Sequence, residues 1–440
     1  MKKLEIQKMS LRYLIASWMF FLPLLLLAQQ PPAPSQSEQI AIYGATAHIG
    51  NGKVIEDSFI LIKNGKITWI GKASEAPSQP DVGRTILADG KDVYPGFIAL
   101  DSSLGLTEIG AVRATRDVDE IGDFNPSIRS LIAFNTDSKV IPTVRSNGVL
   151  FAQIVPQGGT MPGKSSVVQL DAWNWEDAVV RADEGIHLHW PRSYRRTGWW
   201  AEPGGIKPNE EYQKQVDEIK MFFAEAKAYQ NSNAKTKNIK FEAMAKLFSN
   251  EINLYIHASH AKGMMTAVLF AKELGIKPIL LGAEDAWLIT DFLRENEVSV
   301  ILGAAHDLPN RKEDDIDITY KMPSILHDAG IAFAISRDGY YDQRNLPFQA
   351  GHAVGFGLPY EAAIEAITLS PAKILGIDNI YGSLEVGKSA SLFISKGDVL
   401  DMRSSKITHA LIDGRIIDLD NKQKALYRKF TQKYENDQNR

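Results

Sequence analysis

The chain has no cysteine among its 440 residues. That absence excludes disulfides, thiolate zinc sites, iron–sulfur clusters and cysteine nucleophiles together. Any metal must be held by histidine, a carboxylate or a modified lysine. A surplus of one charge is missing too. The 49 Lys+Arg stand against 53 Asp+Glu, a formal net charge of −4, which speaks against a nucleic-acid binder driven by backbone phosphates. Long apolar runs are absent beyond the first thirty residues, so no later stretch is expected to span a bilayer. Histidine is scarce, with nine in all. What is present is ordinary globular material: 44% hydrophobic residues and 23% charged, enough to exclude disorder as the main state. The length suits one large domain or two or three smaller ones.

The single strongly apolar run follows Lys2, Lys3, Lys8 and Arg12 and covers residues 13–28. A basic segment, an apolar stretch and a small residue before Gln29 form the pattern of a secretory signal peptide over residues 1–28. A retained anchor is the alternative, because a run of about 16 apolar residues falls just short of spanning length. The expectation is export, to the periplasm or the medium. The Pro/Gln/Ser-rich residues 29–38 read as a linker.

Next come short alternating segments, 40–45, 58–63 and 66–70, the last two joined by Asn64-Gly65. Asn-Gly between alternating hydrophobics is the strongest short-range hairpin signal. The same texture returns at 391–394, 407–412 and 415–418, around Asp413-Gly414. The two ends are therefore expected to build one small β-sandwich-like domain from residues 39–93 and 383–420, leaving 421–440 as a charged, solvated helix or tail. The centre, 94–382, reads differently. Short apolar runs at 96–100, 149–155, 186–190, 253–257, 278–281, 298–302 and 331–336 are separated, in the later part, by helical patterns. Seven or eight such βα units in about 290 residues predict an α/β fold of the (β/α)8 TIM-barrel type with parallel strands. A doubly wound open sheet is the rival, weakened by the lack of a G-x-G-x-x-G turn after any strand.

Three stretches carry a family resemblance. The first runs from Ala41-Ile42-Tyr43-Gly44-Ala45-Thr46 through Ile60-Leu61-Ile62-Lys63-Asn64-Gly65. The second is Tyr94-Pro95-Gly96-Phe97-Ile98. The third joins Gly357-Leu358-Pro359-Tyr360-Glu361-Ala362 to Ala366-Ile367-Thr368-Leu369-Ser370-Pro371-Ala372 and Gly382-Ser383-Leu384-Glu385-Val386-Gly387. In their order and spacing, over about residues 39–430, they resemble the amidohydrolase superfamily and its imidazolonepropionase-like secreted branch. Ser370-Pro371 also reads as a helix start, with serine as cap and proline in the first turn.

The resemblance implies one or two divalent metals at the C-terminal ends of barrel strands, where a metal makes water acidic enough to attack a C–N or C–O centre. The first strand of the family usually supplies His-x-His, with both rings on one face because side chains alternate. Here Asp101 and Ser103 stand at those positions, so the metal site is degenerate. A carboxylate can ligate a divalent metal; a neutral hydroxyl is a poor substitute for imidazole. His257 matches the histidine after the fifth strand. No histidine stands after the sixth, where Glu284 is the nearest carboxylate or else starts the next helix. Asp338 matches the aspartate after the eighth strand, implied to shuttle protons as general base and acid, although Arg337 beside it also offers a plain ion pair. His260 reads as solvated. His48, His327, His352 and His409 read as structural.

Two further histidine placements stay open. His187-x-His189 puts two rings on one strand face, either as a relocated metal site or as ordinary strand-end residues, and His306 could look into the barrel mouth. The Gly-rich residues 157–164 are not a Walker loop and read as a substrate-facing lid. Trp173, Trp175, Trp190, Trp199 and Trp200 form either an aromatic binding wall or packing on the barrel rim.

The resemblance implies an exported hydrolase acting on non-peptide C–N bonds of a small molecule, with one divalent metal, zinc first, held by Asp101 and His257 and with Asp338 catalytic. The alternative is a catalytically silent homologue without metal that binds a ligand or pairs with an active relative. Neither reading involves nucleic acid, nor membrane insertion after signal cleavage. Homodimers or pairing with a homologous subunit are expected.

Overall fold

A computed structural model describes residues 30–438 apart from 78–81, 200, 233–235, 310 and 312. The expected signal peptide, 1–28, lies outside the described residues, as does Trp200.

The first segment forms β1 (Ile40–His48), β2 (Val54–Lys63), β3 (Lys66–Lys72), β4 (Arg84–Leu87) and β5 (Asp92–Pro95). Asn64 and Gly65, at φ 51° and 76°, make the tight β2–β3 turn, the left-handed geometry that Asn-Gly accommodates. The last segment adds β16 (Leu392–Ser395), β17 (Ile407–Ile412) and β18 (Arg415–Ile416). All eight form one sheet in the order β18-β17-β16-β5-β1-β2-β3, with β4 also on β1. Alternation decides its two faces. Ile40, Ile42, Ile60, Ile62, Leu392, Ile394 and Leu411 share one buried cluster, while Ala41, Phe59 and Leu61 pack on the other side. The sheet curls on itself, for Ile67 N–H donates to Lys388 C=O and Ala390 N–H to Gly65 C=O.

Between these ends the barrel is built from β6 (Phe97–Ser102), β7 (Val149–Ile154), β8 (Lys164–Gln169), β9 (Val179–His189), β12 (Asn253–Ala258), β13 (Pro278–Gly282), β14 (Ser299–Leu302) and β15 (Phe333–Ile335). They form one continuous eight-stranded sheet. A bridge from Ser102 to Gly339, just past β15, nearly closes it. This is the α/β TIM-type barrel that the alternation of apolar runs and helices predicts. Helices Ala261–Glu273, Thr290–Glu295 and Ile318–Asp328 separate the later strands. The strands are not all parallel, however. β8 runs antiparallel to both β7 and β9, because residues 155–163 are too few for a crossover and return the chain as a hairpin. Between β9 and β12 a second hairpin projects, β10 (Tyr194–Trp199) with β11 (Glu202–Pro208), followed by the helix Tyr212–Gln230.

One local expectation changes. Ser370 lies inside the helix Leu369–Leu375, whose N-cap is Thr368; the Thr368 hydroxyl donates back to Ile364 C=O at 2.6 Å. The 421–440 segment forms the helix Lys422–Gln438, and Thr143 Oγ1 donates to Gln423 Oε1 at 2.8 Å to tie its start to the barrel. Among the described residues no helix is long and apolar enough to cross a membrane.

Candidate metal centre

The centre grows from the C-terminal ends of three barrel strands, the face on which TIM barrels carry their chemistry. At the end of β6 the chain turns sharply and Asp101 takes φ 52°. That conformation costs a non-glycine residue about 1–3 kcal/mol and persists where surrounding contacts enforce it. Its N–H is held by Gln153 Oε1 at 3.2 Å. His257 comes from β12. His187 comes from the adjacent parallel strand β9, level with Tyr255 in the register.

Asp101, His187 and His257 each offer a ligand atom, and the three atoms lie within 4.8 Å of one another. Among the described residues this is the one such group of three. His187 Nδ1 and His257 Nε2 are 2.9 Å apart and share a hydrogen bond. His187 stacks on Tyr255 at 4.7 Å between ring centroids. His189 stacks on His257 at 4.2 Å but contributes no atom to the group.

Burial, reinforced by the neighbouring imidazoles, pushes the pKa of both His187 and His257 well below that of an ordinary histidine. Both rings are therefore neutral near pH 7 and keep a lone pair for a cation. Burial, with the charge of Asp338 second, pushes the Asp101 carboxyl up to about 7. His187 Nε2 is buried without a hydrogen-bond partner.

The other sequence-derived candidates are placed as follows. Asp338 is near enough to act on Asp101 through its charge, but its side chain is 73% exposed and pairs with Arg337 Nε at 3.8 Å. It is outside the group of three. Ser103 is buried, and its N–H donates to Gly339 C=O. Glu284 is exposed and accepts from Ser259 Oγ at 3.3 Å. His306 leans away to His352 Nδ1 at 2.9 Å. His260 is engaged with Tyr194 and, at 3.5 Å, with Asp285. Asp285, the neighbour of Glu284, accepts Ala261 N–H at the start of the preceding helix, Ala261–Glu273.

A cavity of about 720 Å³ adjoins the centre through His189 and is also lined by Gly159, Thr160, Trp190, Arg195 and Glu218. The Gly-rich loop thus borders it, pinned by His189 N–H donating to Thr160 C=O at 2.8 Å. Of the tryptophans, Trp190 lines the cavity, whereas Trp173 and Trp199 are exposed.

Sequence reading did not find Glu184, Gln153 or Tyr255, which surround the centre inside the barrel. The available signal was a buried-strand context holding acidic and amide residues. Gly185 makes room for this arrangement, since a Cβ there would stand 2.2 Å from Tyr255 Cε2. Gly185→Ala is expected to lower stability by about 1–3 kcal/mol, the usual cost of overpacking, as read from a urea midpoint. An unchanged midpoint would show that the ring is free to move.

Several known proteins share this architecture. The crystal structure of an amidohydrolase from Thermotoga maritima superposes with a TM-score of 0.73 at 23% identity, covering 86% of this chain and 99% of that one. A putative prolidase from Bifidobacterium longum gives 0.53 at 16% identity, over 88% and 97%. The amidohydrolase tasK of Hapsidospora irregularis is 20% identical over 415 residues, 87% of this chain. The chain spans only 41% of that relative's length. The model of the amidohydrolase family matches residues 198–417, half of the chain, which brings in β12 with His257, the later barrel strands and the returning strands of the terminal sheet. On that match the chain belongs to the amidohydrolase family.

Proposed function

We propose that this protein is an exported, metal-dependent hydrolase of non-peptide C–N bonds in a small polar molecule, of the imidazolonepropionase-like branch. The observation that carries the reading is the convergence of Asp101, His187 and His257 from three strands at the barrel's C-terminal face. Export rests on the basic and apolar pattern of residues 1–28.

The donor set suits a divalent ion. One carboxylate and two neutral imidazoles with open positions is a combination that zinc accepts, and the buried, unpartnered His187 Nε2 supports the reading, since a buried ring nitrogen without a partner suits a cation. Asp101, His187 and His257 would hold the ion, which when bound supplies Lewis acidity. The chain's own residues do the rest. In this reading Asp338, exposed just beyond β15, takes a proton at its carboxylate and returns it to a leaving nitrogen. The cavity beside His189 presents both signs of charge through Arg195 and Glu218, which favours a polar substrate over an apolar one.

One observation favours the second reading, a silent homologue that binds a ligand or pairs with a related subunit: Asp338 stays outside the group of three. Elemental analysis and zinc titration of the purified protein, with hydrolysis of a panel of cyclic and linear amides, separate the two. About one equivalent of metal is expected. His257→Ala should weaken binding beyond the ~10–100-fold typical of losing an outer-sphere contact. Asp338→Ala should keep the metal while lowering hydrolysis by about 10²–10⁴-fold. Protein that neither retains nor takes up zinc would overturn the metal-dependent reading and leave the silent one.

A further inference from the structure

Beneath the centre lies a second carboxylate that the proposed chemistry does not use. Glu184, on β9, has no exposed surface, and no cation is paired with it among the described residues. Four side chains donate to it instead. Oε1 accepts from Gln153 Nε2 at 2.7 Å and from the Ser165 hydroxyl. Oε2 accepts from the Tyr255 hydroxyl at 2.8 Å and from Asn253 Nδ2 at 3.4 Å. A buried charge is tolerated only when its oxygens are satisfied in this way.

Two of those donors lead directly to the candidate ligands. A carboxylate only accepts, so Gln153 must turn its amide nitrogen to Glu184. Its amide oxygen then faces the other way and receives Asp101 N–H at 3.2 Å. This fixes the backbone of Asp101 in the positive-φ conformation from which its side chain projects. By the same logic the Tyr255 hydroxyl must donate to Glu184, which fixes the ring in its plane. His187 lies on that ring at 4.7 Å with an interplanar angle of 20°. Tyr255 also precedes His257 by two residues on β12, so the anchored ring braces the strand that delivers the second imidazole. One acid therefore reaches a ligand on β6 through an amide and a ligand on β9 through an aromatic ring.

We propose that Glu184 is a positioning residue for the Asp101–His187–His257 centre, acting on Asp101 through Gln153 and on His187 through Tyr255. The inference rests on the reading of that centre as a metal site. Its contribution is to hold the ligand atoms close before any ion arrives, and to place a negative charge behind them that complements a cation.

The test uses the full chain with two variants. Glu184→Gln keeps the shape but turns an N–H toward either Gln153 Nε2 or the Tyr255 hydroxyl. Tyr255→Phe keeps the stacked ring and removes only its anchor, and it decides the matter if the first variant does not fold. Cobalt(II) titration reads affinity, and the visible absorption bands of the bound cobalt read coordination geometry. The nitrogen-edited NMR signals of the His187 and His257 rings are recorded without metal. Glu184→Gln should lower cobalt affinity by about 10–100-fold and alter the bands, and Tyr255→Phe should change both in the same direction but less. The ring signals of the metal-free variants should shift away from those of the wild type. Wild-type affinity, bands and ring signals in both variants would overturn the inference. If the wild type binds no cobalt, the metal reading fails, and the metal-free ring signals alone decide whether Glu184 positions the histidines.

Discussion

Replacing Asp171 by asparagine is expected to lower stability by about 3–5 kcal/mol, the usual cost of breaking a buried ion pair from one side. The Asp171 side chain is 2% exposed and holds two arginines: Arg145 Nη1 at 2.6 Å and Arg415 Nη1 at 2.9 Å. Its Oδ2 also accepts Ala33 N–H at 2.9 Å. The three partners come from different places. Arg145 ends the helix that leads into β7, Arg415 begins β18, and Ala33 belongs to the segment before β1. The residues that read as a free linker are thus tied to both the barrel and the terminal sheet. Asparagine retains one acceptor and loses the charge, leaving Arg145, whose side chain is 6% exposed, without its counter-ion in the interior. Equilibrium urea denaturation measures the loss; a change below about 1 kcal/mol would mean that water reaches the cluster.

The second large effect concerns pH. His48 of β1 bonds Glu361 Oε1 at 2.7 Å and faces Asp92 Oδ1 at 3.9 Å, with its ring stacked on Tyr94. Glu361 belongs to the barrel helix Tyr360–Glu365, so the contact joins the terminal sheet to the barrel. Burial alone would lower the pKa of this imidazole, but the hydrogen bonds and charges of Asp92 and Glu361 outweigh it and push it up to about 9. A pKa raised by folding means that the charged form stabilises the folded state. That contribution, about 3 kcal/mol in full, is complete below pH ~6.5 and disappears as the pH rises through about 9. Denaturation midpoints followed from pH 6 to 10 should therefore fall, and His48→Gln should flatten that fall. A wild-type slope retained by the variant would assign it to other groups.

How far the sequence carries the reader depends on the range of the interactions involved. The β2–β3 hairpin was legible because Asn64 and Gly65 set their own backbone. The later half of the barrel was legible because each apolar run meets a helix. β8 was not: Lys164-Ser165-Ser166-Val167-Val168-Gln169 has no continuous apolar run, and its buried Ser165 and Ser166 find their surroundings only once β7 and β9 flank them. Family likeness singled out Asp101 and His257, and strand alternation put His187 and His189 on one face. The β9–β12 register sets His189 level with His257 and His187 level with Tyr255, yet His187 is the one that joins the group, a choice made by tertiary packing and not by local sequence. Glu184 offered only its buried-strand context as a signal, because an acid in a strand reads as solvent-facing until its four donors are in place.

The two-ended construction of the terminal sheet sets an order of events during synthesis. β5 pairs with β1 on one side and with β16 on the other, Tyr94 opposite Phe393. When the first five strands leave the ribosome, nearly three hundred residues must still be made before β16 appears, and the outer edge of β5 has no neighbour. Pairings of such long sequence separation close late, and an open edge meanwhile invites strands from other chains. The strands after the barrel therefore act as a clasp. A chain stopped before residue 392 would lose the means to finish the first domain it began.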